Sequence, residues 1–161
     1  MTENLIRKVY GRPWLVLLLK AVSALTVLAA AAAFIAMGTL AYLESPVILA
    51  EYLAILALPF ISVSLIRKQI NAPRPYELYG FPEKPPHKGG GSFPSRHVFS
   101  AFLIGTLGLF LSPLFAILLI LGVSLAISRV LLGIHFIRDT VAGALLGSVS
   151  ALIGVLAFSI L

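Results

Sequence analysis

Residues 112–147 read SPLFAILLILGVSLAISRVLLGIHFIRDTVAGALLG. Ser112 and Pro113 supply an N-cap and a first-turn proline, so a helix starts there and runs through apolar residues to about Leu132. A second apolar helix begins at Thr140 and continues to the end of the chain. The turn between them carries Gly133, His135, Arg138 and Asp139, with Arg129 just before it. A bilayer crossing needs about 20 mostly apolar residues. The stretch therefore reads as two membrane spans joined by a polar turn at one membrane face.

The same count applied outward finds three more apolar stretches. One runs from about Trp14 to Leu43, broken only by Lys20; a second runs from Val47 to Ile66, and a third, shorter, from His97 to Leu111. The chain has 161 residues, 60% apolar and only 11% charged, and its mean hydropathy is +1.05, far from the balance of a soluble domain. The expected fold is an all-α integral membrane bundle of five transmembrane helices, or six if the overlong first stretch makes a further pass. Residues 1–161 form one domain in this reading, with residues 1–13 as a short interfacial segment. Gly143, Gly147 and Ala151, four residues apart, suit close approach of a neighbouring helix. With no cysteine, a disulfide scaffold, a thiolate metal site and a cysteine nucleophile are excluded.

Five spans place the N-terminus, the long loop from Asn71 to Ser95 and the 133–138 turn on one side. All 12 Lys and Arg lie on or nearest that side, whereas the opposite side has Glu44 and Glu51 and no basic residue. Span-flanking cations follow from orientation rules alone. His97, His135 and the only aspartate, Asp139, do not, because imidazoles and a carboxylate at membrane-helix ends mark functional sites. The net charge of +6 points to anionic lipid head groups or phosphates rather than nucleic acid. Lys84 and Lys88 are read as lipid contacts, His87 as solvated, and Tyr76, Tyr79, Phe81 and Phe93 as interfacial anchors.

In chain order the polar residues read Arg67-Lys68, then Arg74-Pro75; Pro94-Ser95-Arg96-His97; and Ser128-Arg129, five residues, His135, three residues, Asp139. This resembles the type 2 phosphatidic acid phosphatase family of membrane lipid phosphatases. Its motifs are Lys-x6-Arg-Pro, Pro-Ser-Gly-His and Ser-Arg-x5-His-x3-Asp. The third motif is matched at every defined position. In the first, the family's lysine position holds Arg67, with Lys68 one residue too close, and either cation could serve. In the second, Arg96 stands where the family usually has glycine; its amide could still reach phosphate if its φ is negative, and its side chain could add a cation or reach a head group.

On chemistry alone, Arg74 and Arg129 offer bidentate donors for phosphate oxygens, Arg67 or Lys68 adds a cation, and Ser95 with the first amides of its helix adds dipolar donors. Such groups neutralise a phosphoryl-transfer transition state. Asp139 alone cannot hold a Mg²⁺ pair, so no metal and no cofactor are expected. If the segment is helical, His135 and Asp139 share a face, and the carboxylate can hold one imidazole nitrogen while the other attacks phosphorus. The resemblance implies the same roles: His135 as the nucleophile that forms a phosphohistidine, Asp139 as its orienting partner, His97 as the acid, and residues 67–96 as the active-site loop.

The expected activity is metal-independent removal of phosphate from a membrane lipid. The resemblance offers undecaprenyl diphosphate, phosphatidylglycerophosphate, phosphatidic acid and the phosphates of lipid A as candidates. A phosphotransferase would use the same site with an acceptor lipid, and a small transporter would place its charges nearer the midplane instead. The oligomeric state is not readable. The cations Arg7, Lys8 and Arg12 favour a cytoplasmic site by the orientation rule. The resemblance implies an outward-facing site in the bacterial inner membrane, and the latter is the expectation.

Overall fold

Proline and serine set the helix boundaries. The computed structural model describes residues 2–80 and 91–158, and within them the chain forms seven α-helices and one 3₁₀ turn. The first, α1 (Thr2–Tyr10), is too short to cross a bilayer; Ile6 and Val9 turn inward while an Arg7–Glu3 pair at 2.8 Å lies on the outer face. Pro13 opens α2 (Pro13–Glu44), one unbroken helix of 32 residues. It is about 48 Å long, so the further pass allowed for this stretch does not form; tilt or protrusion absorbs the excess.

At Ser45 the backbone turns extended, and its Oγ accepts from the Val47 amide at 3.1 Å. Pro46 then starts α3 (Pro46–Ile70), which Asn71 ends at a left-handed φ of 41°. Part of the expected loop is ordered as a short helix, α4 (Pro75–Tyr79). Residues 81–90 lie outside the described residues, and with them Phe81, Lys84, His87 and Lys88. The third span is α5 (Arg96–Leu109). Ser112 caps as expected, its Oγ accepting from the Leu114 amide, but the first turn is 3₁₀ (Pro113–Phe115) before α6 (Ala116–Leu131). The last helix is α7 (Ile137–Phe158), starting one turn earlier than the apolar count suggests.

The helices α2, α3, α6 with its 3₁₀ turn, and α7 are each long and apolar enough to span a membrane, and the 14-residue α5 is the shorter fifth. Their outward faces are apolar too: Leu28, Leu43, Leu114 and Leu156 are exposed, as expected where lipid is the solvent. The inner core gathers Met37, Tyr52, Ile55, Phe99, Leu103, Leu107, Ala151 and Val155. At its centre α5 lies against α7. A Cβ at Gly143 would fall 2.6 Å from the Ser95 carbonyl, and one at Gly147 2.4 Å from that of Phe99. The small-residue stripe of α7 therefore brings its backbone onto the start of α5, where the polar residues sit.

Candidate active site

Three backbone junctions hold the polar segments together. Gly91 runs so close to the end of α3 that a Cβ there would lie 2.7 Å from Asn71 Cα, and the Ser92 amide donates to the Ala72 carbonyl at 2.6 Å. The Ser95 amide donates to the Asp139 carbonyl at 2.9 Å, tying the head of α5 to the first turn of α7. Gly133 takes φ 68°, and beyond it the amides of Ile134 and His135 both return to the Arg129 carbonyl. This turn is held from outside as well: the Tyr76 amide donates to Gly133 O, and Tyr10 Oη donates to Leu132 O at 3.1 Å.

His135 therefore lies in the turn before α7 and not on a helix face shared with Asp139. The carboxylate sits in the first helical turn and reaches back. Asp139 Oδ2 accepts from the Phe136 amide at 2.9 Å and from Ser92 Oγ. Its distance to His135 Nδ1 is 3.7 Å, too long for a direct hydrogen bond. Ser92 Oγ, 3.2 Å from Nδ1, fills the gap. Because that hydroxyl donates to Asp139, it accepts from Nδ1–H, which leaves the Nε2 lone pair outside the relay. The three residues are 2% exposed or less. Burial pushes the His135 imidazole below its ordinary pKa; Arg74 and Arg67 act in the same direction, and Asp139 opposes them. The ring is neutral near pH 7.

The other expected residues fall into distinct environments. Arg67 is buried in the last turn of α3 and its Nη1 donates to the Pro94 carbonyl at 3.2 Å, whereas Lys68 is exposed on the adjacent face. Arg74 stands at the head of α4, its amide donating to Glu77 Oε2 and its guanidinium 5.8 Å from the Tyr76 ring centroid. Arg129 is half-buried at the end of α6, with Nε unpartnered. Ser95 Oγ is also buried and unpartnered, but its amide is spent on Asp139 and is not a phosphate donor. That leaves the next amides at the α5 N-terminus, which have no intrahelical partner. Arg96 is helical with φ on the negative side, so the glycine substitution does not strain the backbone.

His97 is exposed and lies within electrostatic range of Arg129, His135, Arg96 and Arg67. Arg138 is exposed over the Phe136 ring, with Nε 3.5 Å from Asp139 Oδ1. Tyr76, expected as an interfacial anchor, is buried against Ile6 because its backbone is needed at the His135 turn. Sequence reasoning passed over Ser92 and Tyr10. Ser92 precedes a motif by two residues and has no signal of its own, while Tyr10 is amphipathically placed on a short interfacial helix. Below Arg96 and His97 a groove of about 500 Å³ opens between α2, α3, α5 and α6, lined by residues such as Ala30, Phe34, Phe60 and Ile104. Among the described residues no three His, Asp or Glu side chains converge as metal donors.

A family model described as the PAP2 superfamily matches residues 48–160, which contain every one of these polar groups except Tyr10. No curated protein matches the chain significantly. Among solved structures, a transmembrane PAP2-type phosphatidylglycerolphosphate phosphatase from Bacillus subtilis superposes with a TM-score of 0.70. That match covers 95% of this chain and 82% of the other at 22% identity, a likeness of fold.

Proposed function

The chain belongs to the PAP2 superfamily, and from that premise we propose that it is a membrane lipid phosphatase working through a phosphohistidine. One observation carries the reading: a buried, neutral His135 whose Nδ1 is fixed through Ser92 to Asp139, beside Arg67, Arg74 and Arg129. A histidine held only for packing has no need of an oriented lone pair next to three cations.

In the proposed reaction His135 Nε2 attacks the terminal phosphorus of a lipid phosphate. An N–P bond forms as the P–O bond to the lipid breaks, and the leaving oxygen takes the electron pair and a proton from His97. Nδ1–H stays on Ser92, so the charge gained by the ring is balanced by Asp139. The arginines and the α5 amides hold the equatorial oxygens. Water, losing a proton to His97, then attacks phosphorus and frees the imidazole and inorganic phosphate. The lipid tail lies in the groove below His97, inside the span region, while the phosphate meets the polar end.

The test is phosphate release by purified protein in detergent from undecaprenyl diphosphate, phosphatidylglycerophosphate, phosphatidic acid and lipid A in excess EDTA. Release that persists with EDTA and disappears in His135→Ala supports the reading. Equal release by the variant overturns it, and release only on adding an acceptor lipid reassigns the enzyme as a phosphotransferase. On family resemblance we place the site on the outer face of a bacterial inner membrane. The contacts of α1 with Tyr76 and Leu132 put the N-terminus on the same face, so labelling of an N-terminal tag by an impermeant reagent on intact cells reads out the side.

A further inference from the structure

The side chain of Arg96 has no part in the step just described, which uses only its backbone amide. It is exposed at the first position of α5, with its guanidinium 5.9 Å from the Phe60 ring centroid. Together with His97 it lines the polar end of the groove, whose lining does not include Ser92, His135 or Asp139. Among the described residues no carboxylate pairs with it. Arg67, by contrast, is buried and points to Pro94. The chain thus has one buried and two half-buried guanidiniums, those of Arg67, Arg74 and Arg129, around the attacked phosphorus, and the exposed one of Arg96 where the leaving side of the substrate must pass.

We propose that Arg96 recognises a second phosphate, located between the lipid tail and the phosphate that is cleaved, and so selects lipids carrying two phosphates over simple lipid phosphomonoesters. The inference rests on the phosphatase reading above. With the tail in the groove and the terminal phosphorus at His135, the group adjoining the leaving oxygen lies beside His97 and Arg96. In a diphosphate that group is the inner phosphate. When the bridging P–O bond breaks, the bridging oxygen keeps the electron pair and the departing lipid monophosphate gains negative charge, which a guanidinium stabilises with two N–H donors. A phosphomonoester leaves as an alcohol, needs the proton of His97, and presents nothing for Arg96 to hold. The cation–π contact with Phe60, 5.9 Å to the ring centroid, leaves the guanidinium donors unused.

Binding and turnover together test this. Wild type, Arg96→Gln and Arg96→Lys are compared on farnesyl diphosphate against farnesyl phosphate, and on phosphatidylglycerophosphate against phosphatidic acid. The methylene-bridged farnesyl diphosphonate and the farnesyl monophosphonate serve as non-hydrolysable ligands. The expected result is that Arg96→Gln lowers the two-phosphate to one-phosphate preference by about 10- to 100-fold, in kcat/KM and in affinity, with Arg96→Lys recovering part of it. Hydrolysis of the one-phosphate lipids falls less than that of the two-phosphate lipids, because both variants keep the backbone amide of residue 96. Loss confined to the farnesyl pair assigns a directly linked second phosphate, and loss confined to the glycerol-spaced pair assigns the spaced one. Equal loss on all four lipids, or an unchanged preference, overturns the proposal. If no lipid is hydrolysed while the diphosphonate still binds in an Arg96-dependent way, the phosphatase reading fails and the recognition stands.

Discussion

At the end of the bundle remote from His135, a hollow of about 410 Å³ lies among Met37, Glu44, Glu51, Tyr52 and Val155. The groove below Arg96 and His97 is of similar size, about 500 Å³. The remote hollow is lined by two carboxylates and no cation, and its Tyr52 hydroxyl is already spent on the Phe34 carbonyl at 2.8 Å. At the other end, polar groups are fixed on one another before any substrate arrives: Ser92, His135 and Asp139 form a relay in which each member sets the next. Room for a ligand exists at both ends, but oriented donors and positive charge exist at one.

The largest expected break in that contrast is His135→Ala, which removes the proposed nucleophile and should cut phosphate release by roughly 10⁴-fold or more. Asp139→Asn keeps the shape of the relay but loses its charge, and about a 10³-fold fall in kcat is expected. Ser92→Ala leaves Nδ1 and Asp139 3.7 Å apart with nothing between them, and a drop of about 10- to 100-fold should follow, measured in the same assay.

The pH profile sharpens the point. Burial holds His135 below the ordinary imidazole value of about 6.5. Protonation removes its lone pair, so the acid limb of kcat/KM should fall below pH 6.5. Asp139 pulls that pKa upward, and residual activity in Asp139→Asn should persist to still lower pH. An acid limb at or above 6.5 in the wild type would contradict the buried placement. A smaller effect comes from Gly147→Ala, whose new Cβ meets the Phe99 carbonyl; about 1–3 kcal/mol of destabilisation is expected, read as a lower Tm in detergent. Least of all, Glu51→Gln in the remote hollow should leave activity within about 2-fold.

Much of the bundle was legible because lipid demands long apolar runs, and Ser45-Pro46 and Ser112-Pro113 announce their own helix starts. That His97, His135 and Asp139 lie at helix ends on one side was legible as well, since the apolar runs on either side of them fix where the spans stop. Less visible was which face of each helix turns inward. In a soluble protein polarity would separate Arg67 from Lys68, but α3 is apolar all round, and only packing shows Val63 and Arg67 inside with Lys68 outside. Ser92 was hidden for a related reason: it acts by bridging segments distant in sequence, and a lone serine beside glycines looks like loop chemistry. The i to i+4 spacing of His135 and Asp139 suggested a helical face, whereas Gly133 imposes a turn in which the carboxylate reaches backward.

The short α5 has a physical consequence of its own. Fourteen residues span about 21 Å, against a hydrocarbon layer of about 30 Å. Where that shortfall falls at the end that carries Arg96 and His97, those residues sit several ångströms beneath head-group level unless the bilayer thins around the helix. The thickness of the surrounding membrane becomes a variable of the enzyme: thin bilayers bring head groups level with His135, and thick ones ask the substrate to sink. Acyl-chain length in the host lipid should act on this protein as a throttle.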